Sequence, residues 1–167
     1  MAKTELRLWP FALKVYGKPD VAPACLLLQD RFGADVNILL YACWMAGRGR
    51  RLTVDDMARA RSLCADWHSQ IIAPARVLRR RLKPYAVEEP AKMPVYEAFK
   101  AAELAAEKAQ QAMLEQAAAG YGEAVAMAVD QGLIAANAQA YFQALGVTLD
   151  DEGQAALAHI AAQAASV

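Results

Sequence analysis

The chain has 167 residues, the size of one domain or of a domain with a helical appendage, and 57% of them are apolar, with alanine supplying much of that share. Eighteen basic and eighteen acidic residues cancel, which argues against a free-standing polyelectrolyte binder. The cancellation hides an asymmetry: residues 1–83 hold 15 Lys/Arg and 7 Asp/Glu, and residues 84–167 hold 3 and 11. An acidic half folding back on a basic half is the expected consequence, with an open basic face for an anionic partner as the alternative.

Read in chain order, the sequence predicts an all-α fold, without strand patterning. A first helix is expected over about 6–16, with Pro10 in its first turn and Gly17 closing it. A second runs from Asp20, an expected N-cap, to Phe32, with Gly33 as its stop. A third is capped by Asp35 and ends at Gly47 and Gly49; from Val36 to Ala46 its only polar side chain is Asn37. That run is about 16 Å long at 1.5 Å per residue. A bilayer core needs about 20 apolar residues, so the segment is too short to cross one. It reads as the central helix of a bundle.

A fourth helix opens at Thr53, where T-V-D-D is an acidic variant of the capping box, and runs to about Ile72, where Pro74 is expected to break or kink it. A basic fifth helix follows over about 75–83. KPYAVEEPAKMP, with prolines at 84, 90 and 94, reads as a linker. Beyond it, Val95, Phe99, Ala102, Ala106, Ala109, Met113 and Ala117 mark a long alanine-rich helix over about 95–119 with a heptad-like seam of mostly small residues, which needs a partner helix in this chain or in a second copy. Gly120 and Gly122 end it. Another helix is expected over about 123–144 with its stop at Gly146, and a last one opens at Thr148. The organisation expected is a basic bundle over 6–83, a proline-rich linker over 84–94 and an alanine-rich acidic region over 95–165 packing on the bundle.

Several of these strings carry a resemblance. W-x-F-A-L-x-V-Y at Trp9–Tyr16, C-L-x-L-Q-D at Cys25–Asp30, G-A-D-V-N at Gly33–Asn37, the tryptophans Trp44 and Trp67, and P-x-R at Pro74–Arg76 together resemble an uncharacterised proteobacterial family of small helical proteins, defined as a domain of unknown function. The resemblance covers about residues 6–85. It implies a helical fold and no particular activity.

Four groups of residues could carry chemistry. Gln29, Asp30, Asp35 and Asn37 gather around the Gly33 turn as a candidate polar pocket; as a clamp they would pair with one another and with a nearby arginine, and as a site they would hold a small ligand. No loop spacing resembles a calcium site, so no metal is expected. Cys64 and His68, four apart on one helix, are a nucleophile–base spacing that more commonly marks a buried cysteine beside a half-exposed histidine. Arg48, Arg50 and Arg51, in a glycine-rich loop before a helix, and Arg76, Arg79, Arg80 and Lys83 form a candidate anion-binding face; as the alternative, the second group is a solvated face or the internal partner of Glu88, Glu89, Glu97 and Glu103. Trp9, Trp44 and Trp67 read as core anchors.

No cofactor is implied, and catalytic residues are not identified. A non-enzymatic interaction or adaptor protein with a basic face is the first functional expectation, with homodimerisation through Phe99, Ala102, Ala106, Ala109 and Met113. A nucleic-acid-binding module using the arginine clusters, and a ligand-binding or enzymatic bundle with a pocket at Gln29, Asp30 and Asn37, are the alternatives. Three cysteines without a CxxC pair, and an N-terminal stretch without the pattern of a signal peptide, point to the cytoplasm.

Overall fold

The computed structural model describes residues 6–125 and 130–167. Over these the chain forms α1 (Leu8–Tyr16), α2 (Val21–Phe32), α3 (Val36–Gly47), β1 (Arg50–Arg51), α4 (Val54–Trp67), a π turn (His68–Ile72), α5 (Ala73–Glu88), α6 (Met93–Ala117), β2 (Glu123–Ala124), α7 (Gln131–Leu145) and α8 (Asp151–Ala165). The fold is all-α, as the sequence predicts.

α3 is its axis. Asn37 through Ala46 are buried on every side of that helix, which is the burial an all-round apolar sequence requires. α1, α6, α7 and α8 pack around it, and α2 and α4 close the remaining sides through α8 and α7. Leu28, Leu39, Tyr41, Met45 and Met57 from the basic half share one continuous core with Leu114, Ile134, Tyr141, Phe142, Leu157 and Ile160 from the acidic half. Among the described residues no helix is long and apolar enough to cross a membrane.

The helix ends show which local signals worked. Asp35 caps α3 by accepting the Asn37 N–H at 2.9 Å. Thr53 and Asp56 form a complete capping box, each side chain accepting the other's backbone N–H, at 3.1 and 2.9 Å. Thr53→Ala is therefore expected to lower stability by about 1 kcal/mol, read as a shift in the urea midpoint.

Asp20 is not a side-chain cap. It adopts φ 59°, in the left-handed region, and its carboxylate makes no capping bond. The last helix is capped by Asp150, which accepts from Gly153 N–H at 2.9 Å, and not by Thr148.

Pro74 does not end the fourth helix. The π turn lets Ala73 N–H reach back five residues to the His68 carbonyl, so the chain passes into α5 with its hydrogen-bond register shifted. π turns accommodate an extra residue in this way. Pro84 also lies inside α5. Residues 84–88, read from sequence as linker, are the end of that helix, and only a short turn through a 3₁₀ segment, Pro90–Lys92, separates it from α6.

Residues 123–124, expected to open a helix, instead pair antiparallel with β1, Arg50 against Ala124 and Arg51 against Glu123. Gly122 permits that ribbon: its φ is +70°, and a Cβ there would lie 2.9 Å from the Arg51 carbonyl oxygen. The rest of the expected helix start, residues 126–129, lies outside the described residues.

α5 and the first half of α6 form a two-helix arm. Among the described elements, α5 packs on α6, on the π turn and on the short 3₁₀ segment. The buried residues of α6 are Glu103, Ala106, Gln110, Gln111 and Leu114. In the seam expected from sequence, Ala106 is buried, Phe99 and Met113 are half-buried, and Ala102 and Ala109 are exposed. The helix is turned so that its polar side chains face inward, because α3 and α5 offer them partners.

Candidate functional site

Asp35 begins the construction. It sits at the tight turn between α2 and α3, where Gly33 takes φ +69°. Its backbone N–H donates to the Tyr141 hydroxyl at 2.6 Å. Its carboxylate accepts from Gln110 Nε2 at 2.6 Å and lies 2.9 Å from His68 Nδ1. Gln110 Oε1 in turn accepts from Asn37 Nδ2 at 3.2 Å, and Asn37 Oδ1 accepts from Gln111 Nε2 at 2.8 Å.

A chain of polar side chains thus crosses the bundle from His68 through Asp35, Gln110 and Asn37 to Gln111. Burial pushes the Asp35 carboxyl up, but the His68 contact and the Gln110 and Asn37 donors outweigh it and hold the group below the usual carboxylate range. The Asp35 contact raises His68, against the opposing effect of burial.

Each end of this chain opens into a cleft. The first, about 340 Å³, lies between α1, α2, α3, α5 and α6. Trp9, Leu13, Leu26, Leu40 and Leu104 supply apolar walls, and Gln29, Asn37 and Gln111 reach it from the polar chain's side. Leu13, Leu26 and Leu104 remain 52%, 43% and 50% exposed there, a concentration of open apolar surface in one concavity.

Arg76, Arg79, Arg80 and Lys100 line its rim with Glu103 and Glu107, an excess of two positive charges. Arg76 donates to Glu103 at 3.0 Å and to Glu107 at 2.7 Å, and Arg79 also pairs with Glu103. Glu107 is held above its ordinary value by burial, with Arg76 pulling the other way. Arg80 pairs with Asp30 at 3.1 Å on the exposed surface.

The second cleft, about 330 Å³, is lined by Gly33, Asp35, Arg61, Ser62, Cys64, His68 and Tyr141 among others. Burial pushes the Cys64 thiol up to about 11 and the Cys25 and Cys43 thiols up to about 12. At neutral pH these are thiols, and a thiol is a poor nucleophile. Among the described residues no group of three or more His, Cys, Asp or Glu side chains could hold a metal ion.

The residues singled out from sequence therefore separate. Gln29 and Asn37 reach the first cleft, Asp35 lines the second, and Asp30 stays outside as the partner of Arg80 and Gln29. Arg76, Arg79 and Arg80 join Gln29 and Asn37 at the first cleft. Lys83 is exposed farther along α5.

The other arginine cluster is elsewhere in the fold and lines neither cleft. Arg48 stacks over the Trp44 ring at 4.7 Å, Arg50 donates to the Tyr121 and Gly122 carbonyls at 3.0 and 2.7 Å, and Arg51 lies exposed on the ribbon. Trp44 and Trp67 anchor the packing through indole N–H bonds to the Leu6 and Ala106 carbonyls at 2.8 and 2.9 Å, while Trp9 stands in the cleft wall.

Sequence reading named Glu103 as one of four acids that the α5 arginines could meet, and it missed Glu107, Gln110 and Gln111. In an alanine-rich helix they pass for solvated positions. Counted from Glu103, their spacing of four, three and one places them along one helix face, and that was the signal available.

No curated protein and no solved structure matches the chain. The family model described as "Protein of unknown function (DUF2390)" matches residues 7–114, from the start of α1 to the buried Leu114 of α6. Both walls of the first cleft and every member of the polar chain fall within that span. With 108 of its 167 residues inside the match, the chain belongs to the DUF2390 family.

Proposed function

We propose that this protein is a small-molecule-binding helical bundle, and that its ligand is an amphipathic anion seated in the first cleft with its apolar body on Trp9, Leu13, Leu26 and Leu104 and its head group at the arginine rim. The observation that carries this reading is the convergence of open apolar walls and excess positive charge on one concavity. Ligand sites are concave, mostly apolar and fixed in orientation by a few polar groups.

Arg80 and Lys100 are the head-group contacts best able to move. Their present partners, Asp30 at 3.1 Å and Glu97 at 3.8 Å, are exposed, and such pairs contribute about 0–1 kcal/mol. Arg76 is held from both sides by Glu103 and Glu107 and supplies a fixed guanidinium. All three cysteines are free and buried, which suits a reducing, cytoplasmic compartment.

A basic face open to an acidic partner or nucleic acid draws less support. The α5 arginines nearest the bundle are engaged by Glu103, Glu107 and Asp30. The cluster at Arg48, Arg50 and Arg51 also lines neither of the two clefts.

The test is calorimetric titration of the full chain with decanoate, with decanol and with inorganic phosphate. Decanoate is expected to bind and to raise the melting temperature, with phosphate and decanol each much weaker. Leu104→Asp, at a half-exposed wall position, is expected to weaken decanoate by about tenfold or more, as loss of a buried leucine contact of about 1.5 kcal/mol implies. If decanoate gives neither heat nor a melting shift, the reading is lost.

A further inference from the structure

The second cleft differs in kind from the first. Its walls come from the start of α3, from α4, from the π turn and from the end of α7, and its volume of about 330 Å³ suits a small molecule. Ile38 and Leu145 give it an apolar side. Its polar side holds three hydrogen-bond donors, Arg61, Tyr141 and His68, each fixed by a contact that leaves part of its donor capacity unused.

Arg61 is anchored at one terminal nitrogen, which donates to the Ala144 carbonyl at 2.5 Å in the last turn of α7. Its remaining N–H groups have no partner among the described residues. Tyr141 is 1% exposed, and its hydroxyl oxygen accepts from Asp35 N–H at 2.6 Å. The hydrogen of that hydroxyl has no acceptor among the described residues. Buried polar groups are ordinarily paired, so a donor left over in a cavity wall points to a ligand that accepts from it.

His68 opens the π turn, and single turns of π helix recur at functional sites. Its Nδ1 is covered and lies 2.9 Å from the Asp35 carboxylate, while the side chain as a whole stays 30% exposed. The open part of the ring is therefore its Nε2 side. The Asp35 contact raises the imidazole above its ordinary 6.5, so at about pH 6 it is a cation.

We infer that the second cleft is a binding site for a small aliphatic carboxylate, its oxygens taken by Arg61, the Tyr141 O–H and the imidazole of His68, and its short chain lying on Ile38 and Leu145. Donors without acceptors select an anion. Charge selects the class: Arg61 and the His68 imidazolium face one acid, Asp35, which leaves a single positive charge over. A monoanion balances that charge, whereas a dianion is repelled by Asp35 behind the ring. The planar guanidinium also presents paired N–H groups that match the two oxygens of a carboxylate. The two clefts share no lining residue, so the inference does not depend on the ligand of the first.

The chain has two histidines, His68 and His159, which makes the spectrum of the ring nitrogens simple to read. The test is an NMR titration of the full chain with sodium butanoate at about pH 6, with butanol and sodium sulfate as controls. Butanoate is expected to move the His68 Nε2 resonance with a dissociation constant of about 1 mM, the range a ligand of so few atoms reaches. His159, which bonds the Pro19 carbonyl on the surface, is expected to stay still. Butanol and sulfate are each expected to bind much more weakly. Arg61→Gln, at a half-buried position and still able to donate to Ala144, is expected to weaken butanoate about tenfold, and Arg61→Lys, which keeps the charge, about threefold. Leu104→Asp, in the first cleft, is expected to leave it unchanged.

A His68 resonance that butanoate leaves unmoved at about 20 mM overturns the inference. So does binding that Arg61→Gln leaves unchanged, the result expected of a guanidinium that serves only the Ala144 carbonyl. Binding that Leu104→Asp abolishes would put butanoate in the first cleft and overturns it as well, and sulfate binding as tightly as butanoate overturns the assignment to a carboxylate.

Discussion

Asp35→Ala is expected to lower the unfolding free energy by about 3–5 kcal/mol, the cost of removing one partner from a buried charged network. The carboxylate is 12% exposed and serves Gln110, His68 and the Asn37 N–H at once. Alanine strands the fully buried Gln110 amide, takes the acceptor from His68 and the Asn37 N–H, and so also removes the N-cap of the central helix. Asp35→Asn should cost less, because the amide oxygen can still accept from Asn37 N–H.

Urea unfolding reads both variants, and pH gives the signature. The Asp35 carboxyl is held below its ordinary 3.8, so its contribution is present above that value and is lost as pH falls through the folded value. The His68 imidazole is raised above 6.5, so its contribution is complete below pH 6.5 and is lost as pH rises through the folded value. The pair therefore stabilises most between about pH 4 and 6.5, and wild-type stability should decline as pH rises above 6.5. His68→Gln should flatten that decline. An undiminished slope in His68→Gln would show that another group produces it.

Asn137→Ala is expected to cost about 3 kcal/mol or more. Asn137 is fully buried in α7, accepts from Leu52 N–H at 2.9 Å, and donates to the Ala42 and Arg50 carbonyls at 3.2 and 2.9 Å. Two backbone groups of the α3–α4 connection, Leu52 N–H and the Arg50 carbonyl, thus depend on one amide, and each buried group left unpaired costs about 1–3 kcal/mol. Amide hydrogen exchange distinguishes this loss from a general one. Leu52 N–H should exchange much faster in the variant while the α8 amides change little at equal global stability. Unchanged Leu52 protection would remove Asn137 from this role.

Much of the helical scaffold was legible because its causes are local. Asp35, the Thr53–Asp56 box, Gly33 and Gly146 act on their own turns, and helix boundaries follow from them. The centrality of α3 was legible too, since a helix with one polar residue in eleven can be stable in water only if surrounded. The strand at Glu123 was misread because it depends on a neighbour far outside its own turn: Glu123 pairs with Arg51, seventy-two residues away. Asp20 and Thr148 were misread locally: Asp20 takes a left-handed φ of 59° and makes no side-chain cap bond, and Asp150, two residues after Thr148, caps the last helix.

The cleft was half visible. Gln29, Asn37 and the α5 arginines were identified as separate candidates, but that they meet was not. Their meeting requires α6, whose Glu103, Glu107 and Gln111 look like solvent-facing residues of an alanine-rich helix until α3 and α5 are placed against them. The rotation of α6 follows from buried hydrogen bonds to Asn37 and ion pairs to Arg76 and Arg79.

By itself, then, the sequence determined an all-α chain, a central apolar helix, most of the capped ends, and a charge asymmetry between its two halves. Only the tertiary structure decided which acid meets which base, that a buried polar chain runs from His68 to Gln111, and that a cleft with apolar walls and a cationic rim opens beside it. Periodicity and capping are properties of a few consecutive residues, whereas a polar group's partner and a cavity's walls come from segments far apart in the chain, brought together by the packing of the whole.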